Sequence, residues 1–443
     1  METERDAFIT AVMSIAIVGS TFAAERKPNV VVFYIDDMGY ADLGCYGGKL
    51  APTPHCDSLA KNGVRFTDGY VAACVCSPSR VGLVTGRYQA RTGHDANSGK
   101  PGNELLKSEV TIAQRMKAAG YATGIVGKWH LGEGKEFLPA SRGFDYGYGS
   151  MDNLAEKKGE TPFYRGNEVV KQPAEYPITS GLYAKEACGF IDANKDKPFL
   201  LYLAFNAVHA PRVATEATLK KFAHLKNHER EYAANMAECD NAVGAVMEKL
   251  RSHKLEEDTL VFVISDNGGS SPFANMGGLR GAKWLLWEGG IRIPFIVQWK
   301  GRIPGGRVVK DPVIQLDVLP TALAAAGTEA KPEWKLDGVD LLPLLEGKAK
   351  TVEREALYWR FGVQFAVRKG DWKLVSAAKD MKPVLVNLTT DKGEAKDLTA
   401  ANPEKAKELL ALWEAWNKQN LAPRWIDRRW DGEEARKKNK NEE

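Results

Sequence analysis

Five nearly continuous apolar runs constrain this chain more than any other feature: residues 29–35, 122–126, 199–205, 260–264 and 294–299. Rich in β-branched residues and without polar alternation, they read as strands buried on both faces. Helical patterns fall between them. Residues 110–119 end at Gly120, a good helix stop, and in 232–250 the residues Met236, Val243, Met247 and Leu250 recur at helical spacing. Strands alternating with helices predict an α/β fold, a mostly parallel mixed central sheet sandwiched by helices. Near residue 350 the texture changes. Short apolar runs at 356–361, 365–368, 372–376 and 384–388 are separated by turns such as Lys369-Gly370-Asp371, and a helical pattern follows at Pro403–Asn417. That spacing predicts a smaller C-terminal antiparallel sheet plus helix. With 443 residues, 44% of them hydrophobic, the chain can bury a large core and a second unit. The expected division is a main α/β domain over 25–350, a C-terminal subdomain over 351–427 and a charged tail over 428–443 with little to bury.

The 61 basic and 57 acidic side chains leave a net charge of +4. No basic face dominates, which argues against a nucleic-acid partner. Residues 8–23 form the long apolar stretch that precedes the body, and it ends in small residues through Ala24. It reads as a secretory signal over 1–24, cleaved near Ala23 or Ala24, so that the protein is exported, periplasmic or secreted, with no stable membrane span after its removal. Glu2, Glu4 and Asp6 outnumber Arg5 where a signal is ordinarily basic; the rival readings are an uncleaved anchor or a misplaced start. The six cysteines (45, 56, 74, 76, 188 and 239) form no dense scaffold, and Cys74-x-Cys76 lacks the second pair a soft-metal site needs.

Followed to their C-terminal ends, four of the runs deliver chemistry. The first ends in Asp36-Asp37, the second in Gly127-Lys128-Trp129-His130, the third leads to Asn206 and His209, and the fourth to Asp266-Asn267-Gly268-Gly269. Ligands of open α/β sheets bind outside the carboxyl edge of the strands, so one rim collects these side chains. Adjacent carboxylates at a strand end repel unless a cation sits between them, or else one of them caps the loop through Gly39. With Asp266 and Asn267 added, the donors fit Ca2+ or Mg2+ better than zinc, since no His or thiolate is required. Lys128 at a buried strand end calls for an anion, the alternative being a snorkelling Lys beside a core His130. His209 and Lys283 have the same two readings. Cys76 opens Cys76-Ser77-Pro78-Ser79-Arg80, followed by Thr85-Gly86-Arg87. Ser77 as a cap and Pro78 in the first turn would put position 76 at a helix N-terminus, where backbone N–H groups favour anions, and Arg80 adds a forked cation suited to sulfate or phosphate oxygens.

These blocks together resemble the type I sulfatases of the alkaline phosphatase superfamily. The resemblance is carried by Cys76–Arg80 with its downstream Thr-Gly-Arg, by Asn29–Gly47, Gly120–Gly132 (GYATGIVGKWHLG), Lys197–Pro211 and Ser265–Pro294, in the same order, and it spans roughly residues 27–400. It implies an alkaline phosphatase-like fold and an arylsulfatase-like sulfuric ester hydrolase. It further implies that Cys76 is converted to formylglycine, an aldehyde that hydrates to a nucleophilic diol, and therefore that a formylglycine-generating enzyme is a partner during maturation. Asp36, Asp37, Asp266 and Asn267 would hold one Ca2+, with residue 76 also touching it. Arg80 and His130 would steady the diol, His130 taking a proton when sulfate is released, and Lys128, His209 and Lys283 would hold the sulfate oxygens. Where the family places one more polar group after Gly143-Phe144, Ser150, Asp152 and Asn153 all qualify. His55 stands where the family usually has Asn. The implied substrates are aryl sulfates or sulfated saccharides and polysaccharides. Specificity is expected in rim loops around 133–160, 164–182 and 334–364; Arg142, Arg165 and Trp359 could contact a sugar or aryl group there, but each reads first as an ordinary surface or packing residue. The competing functions are a phosphodiester or phosphonate monoester hydrolase on the same scaffold, an unmodified paralogue that binds sulfated glycans, and a thiol-redox protein built on Cys74 and Cys76.

Overall fold

The computed structural model describes residues 26–97, 102–154, 161–172, 179–270, 272–378, 381–425 and 427. The expected signal and the charged tail lie outside the described residues. An 11-stranded mixed sheet forms the body. In chain order its strands are β1 (Asn29–Ile35), β2 (Val64–Tyr70), β3 (Ala122–Gly127), β4 (Tyr146–Ser150), β5 (Phe163–Arg165), β6 (Glu168–Val170), β7 (Phe199–Ala204), β8 (Thr259–Ser265), β9 (Arg292–Gln298), β10 (Arg307–Val309) and β11 (Val313–Ile314). The order across the sheet is β10-β2-β9-β8-β1-β7-β3-β4-β5-β6, with β11 also on β2. The five central strands, β8-β1-β7-β3-β4, are parallel.

Alternation along β1 divides the interior. Val30, Val32 and Tyr34 enter one apolar core, while Val31, Phe33 and Ile35 enter another on the opposite face. The second core includes residues of helices Pro54–Lys61, Thr179–Asn194 and Asn227–Ser252. The first includes residues of Cys76–Thr85, Ile112–Ala118 and Val318–Ala325. Every residue of β1, β7, β8 and β9 is buried, which is why these runs show no polar alternation.

The 110–119 pattern is shortened at its start by a capping box, in which Thr111 accepts from Gln114 N and Gln114 Oε1 accepts from Thr111 N. The 232–250 pattern extends to a 26-residue helix. The fifth apolar run begins earlier than expected, at Arg292, and β9 runs antiparallel to β8. The start of β9 therefore lies beside the end of β8, at the rim.

A separate four-stranded antiparallel sheet follows: β12 (Leu357–Phe361), β13 (Gln364–Lys369), β14 (Trp372–Ser376) and β15 (Val384–Asn387), with helix Pro403–Asn417 after it. Trp359 and Tyr358 of β12 and Trp416 of the helix are buried in the same core as Tyr70 of β2. The small sheet thus packs on one face of the large one. No helix among the described residues is long and apolar enough to cross a membrane.

Candidate active site

The ends of β1, β3 and β8 and the start of helix Cys76–Thr85 converge on one buried cluster. Asp36 and Asp37 leave β1 with Asp37 in the left-handed region, φ 61°. This conformation is costly for a residue with a Cβ, and it is held by Asp37 N donating to Asp266 Oδ1 at 3.0 Å. Single ligand atoms of Asp36, Asp37, Cys76 and Asp266 lie within 4.8 Å of one another. Asn267 turns its Nδ2 to Asp37 Oδ1 at 2.7 Å, and its buried Oδ1 meets no hydrogen-bond partner among the described residues. A spare amide oxygen beside three carboxylates is the donor set of a hard cation.

Cations surround these carboxylates. Lys128, fully buried, places Nζ 2.6 Å from Asp36 Oδ2 and 2.6 Å from Asn153 Oδ1, so it does not snorkel. Arg80 Nη2 is 2.8 Å from Asp266 Oδ2 and 3.6 Å from Asp36 Oδ2, and its Nη1 donates to Lys128 O. Lys283 Nζ lies 2.6 Å from Asp37 Oδ1 and 3.1 Å from Cys76 Sγ. His209 Nε2 is 3.6 Å from Asp37 Oδ2 and, like Asp152, is partly exposed, which marks the open side. His130 sits at φ 58° with Nε2 2.9 Å from Asp152 Oδ1. Burial pushes the Asp36 carboxyl up, but Lys128, then His209 and Arg80, hold it well below the ordinary range. Asp266 goes the other way, pushed up to about 7 by burial and by the charge of Asp36. Burial, then the carboxylates of Asp266 and Asp36, raise the Cys76 thiol well above its ordinary value. A plain thiol here is protonated and a poor nucleophile.

The structure thus brings together all ten residues singled out from sequence: Asp36, Asp37, Cys76, Arg80, Lys128, His130, His209, Asp266, Asn267 and Lys283. Of the three polar candidates after Phe144, Asp152 and Asn153 join the cluster through His130 and Lys128. Ser150 instead donates to Asn206 Oδ1 at 3.1 Å. The helix carrying position 76 begins at Cys76 itself, with Val75 before it, so Ser77 lies inside the first turn and does not cap it. Ser77 Oγ is 2.7 Å from His94 Nε2, and its N donates to Asn97 Oδ1. His94 and Asn97 were not anticipated, and no motif in 92–97 marks them. Arg142 donates to the carbonyls of Leu106 and Glu109, and Trp359 is fully buried with Nε1 on Val71 O; both are packing residues. Arg165 is an exposed partner of Glu186. The six cysteines carry free thiols, which removes a Cys74–Cys76 bond.

A mixed sheet with a parallel centre, whose rim gathers acids, fixed cations and a buried Cys, places the chain in the alkaline phosphatase-like α/β class. The sulfatase family model matches residues 28–328, and the model of the C-terminal part of N-sulphoglucosamine sulphohydrolase matches 281–419. N-acetylgalactosamine-6-sulfatase of Sus scrofa is 36% identical over 395 residues, covering 82% of this chain and 74% of that protein. Arylsulfatase A of Homo sapiens is 36% identical over 452 residues, covering 88% of each. The crystal structure of Ps i-CgsB in complex with k-i-k-neocarrahexaose superposes with a TM-score of 0.86 at 29% identity, covering 94% of this chain and 98% of the other. The chain belongs to the sulfatase family, and it is a sulfuric ester hydrolase.

Proposed function

We propose that this enzyme cleaves sulfate monoesters of saccharides after Cys76 has been oxidised to formylglycine, with one Ca2+ held by Asp36, Asp37, Asp266 and Asn267. The carrying observation is the position of residue 76. It is buried at the start of its helix, with Sγ 3.4 Å from Asp36 Oδ1 and 3.1 Å from Lys283 Nζ, yet as a thiol it is poorly reactive. Hydrated formylglycine would supply a hydroxyl that attacks sulfur and a second hydroxyl whose deprotonation expels sulfate. A bound Ca2+ would supply positive charge that favours deprotonation of the attacking hydroxyl and offsets the negative charge growing in the reaction.

The chain's own groups carry the rest. Lys128, Lys283 and His209 supply cations and hydrogen-bond donors for the equatorial sulfate oxygens, whose charge grows as the sulfur is attacked. Arg80, tied to Asp266 and to Lys128 O, fixes the carboxylates on one side and presents its charge toward residue 76. His130 receives and returns a proton on the open side, and Asp152 orients its ring. Burial holds His130 below its ordinary value despite Asp152, so it rests neutral and ready to accept. The relative named for N-acetylgalactosamine-6-sulfate and the neighbour crystallised with neocarrahexaose support a saccharide substrate. The apolar stretch at 8–23 supports export.

The test has two arms. Mass spectrometry of the residue-76 peptide from a host that makes formylglycine should show the aldehyde, which is lighter than the thiol. The same preparation should hydrolyse 4-nitrophenyl sulfate and members of a sulfated-oligosaccharide panel faster than bis(4-nitrophenyl) phosphate. Full activity in protein whose residue 76 is entirely thiol, or faster phosphodiester cleavage, defeats the reading.

A further inference from the structure

Lys283 is carried on a loop whose own hydrogen bonds are supplemented by ties from its neighbours. Gly289 N donates to Arg280 O at 2.7 Å and closes it at the base. At its tip Trp284 sits at φ 79°, a left-handed conformation that a residue with a Cβ adopts only when its surroundings impose it. The large sheet's side supplies two ties, Lys283 N to Gly269 O at 3.1 Å and Trp284 N to Cys74 O at 3.0 Å. Within the loop Leu285 N donates to Ala282 O at 3.1 Å, and Glu288 N donates to Glu394 Oε2 at 2.6 Å; further ties come from the small C-terminal sheet. The two-residue turn between β12 and β13, Gly362-Val363, delivers Gln364, which is 1% exposed. Its Nε2 donates to Trp284 O at 2.8 Å and its Oε1 accepts from Leu286 N at 3.0 Å. Phe361, on the other side of the same turn, lays its ring 6.1 Å from that of Trp284, centroid to centroid. Lys373 of β14 then donates to Leu286 O at 2.9 Å.

One amide therefore clasps the backbone on both sides of residue 285, starting at the residue that follows Lys283. We infer that Gln364 is a positioning residue for the reaction, holding the Lys283 loop in the strained shape that delivers Nζ to residue 76. This rests on the proposed role of Lys283 toward sulfate. The physical basis is the steep dependence of catalysis on placement: a shift of about 1 Å in a charged group costs on the order of a hundredfold. A buried amide that donates and accepts at once is also specific in a way that packing is not. Leucine fills the space but makes neither bond. A carboxylic acid makes both when protonated, and when ionised it loses the donor and faces the Trp284 carbonyl with a charge.

The experiment uses the full chain with formylglycine at position 76, its content measured for every variant, and 4-nitrophenyl sulfate as substrate. Q364L should lower kcat by roughly 10- to 100-fold. Q364E, its new carboxyl kept neutral by burial at acidic pH, should match the wild type near pH 5. Its activity relative to wild type should then fall as pH rises through one proton. Taking the ratio cancels groups common to both proteins, Lys373 and the carboxyls of Glu288 and Glu394 included. If Q364L works at the wild-type rate, or if the Q364E ratio is flat with pH, Gln364 is a packing residue and the inference is overturned. K283A separates the two levels. Loss of kcat in K283A with unaffected Gln364 variants refutes the positioning role alone. An unimpaired K283A refutes the role given to Lys283 and the inference with it.

Discussion

Two clusters of buried charge invite comparison, one at the strand ends and one between the sheets. At the rim, Asp36, Asp37 and Asp266 crowd one point beside Cys76, and the amide oxygen of Asn267 is left over. Between the sheets the carboxylates are also met by cations, with Glu288 and Glu394 sharing Lys373. Glu288 meets Lys373 at 2.9 Å and Arg292 at 3.1 Å, Glu394 meets Lys373 at 2.9 Å, and Asp68 pairs with Arg292 and with Arg368. The first cluster opens toward solvent through His209 and Asp152. In the second, Lys373, Glu288, Arg292 and Glu394 are each 0% exposed. The difference separates two uses of a buried charge. Where acids crowd and a donor is spare, the residues suit a hard cation. Where the paired charges are sealed from solvent between two sheets, they fasten one part of the fold to another, and breaking one partner is what costs.

The largest effect that can break this comparison is expected at the rim. C76S should lower steady-state kcat by at least about a thousandfold and trap at most one sulfated turnover, because serine attacks but cannot expel sulfate as the diol does. Its Tm should stay within about 2 °C of wild type, as a rim built for chemistry requires. Sustained turnover by C76S ends that assignment. K373M should do the opposite. Leaving Glu288 and Glu394 without their shared cation should cost about 3–5 kcal/mol of unfolding free energy in urea titrations, and a loss below about 1 kcal/mol would mean that the sealed cluster fastens nothing.

Chelation should sharpen the contrast further. EGTA dialysis should abolish turnover and lower the unfolding free energy, with Ca2+ at about a hundred times its Kd restoring about 2.7 kcal/mol. No change in either measurement would remove the cation from the rim. The smallest effect is a pH slope. Glu394 is raised from 4.5 to about 7, by burial first and by Glu288, with Lys373 opposing. The folded chain keeps a proton that the unfolded chain releases, so stability falls as pH climbs from about 4.5 to about 7 and then levels off, by about 1–3 kcal/mol. E394Q should flatten that slope when urea midpoints are compared at pH 5 and pH 8; an unchanged slope places its origin elsewhere.

The legible parts of the molecule were those where burial acts on both faces of an element. β1, β3, β7 and β8 announce themselves because no residue in them needs to meet water. β2 does not, because Arg65 and Thr67 alternate with buried neighbours and Asp68 follows, so the run looks like loop. β4, Tyr146–Ser150, is two tyrosines, two glycines and a serine, and its glycines weaken the strand signal. The direction of β9 is invisible in a hydrophobic run, and with it the reason Lys283 precedes a strand when the other site residues follow one. Strand ends exposed most of the site because a charge at the end of an apolar run is conspicuous. The clasp by Gln364 was hidden, since a single amide in a hairpin carries no pattern and its partners are backbone atoms some 80 residues away.

Three side chains at or beside the proposed active site, Asp37, His130 and Trp284, sit on backbone twisted into the territory of glycine. An engineer hardening this enzyme against heat by relaxing such torsions would be drawn first to these places. Sturdiness gained there would come at the expense of turnover, so durable versions should be sought on the far flanks of the sheet.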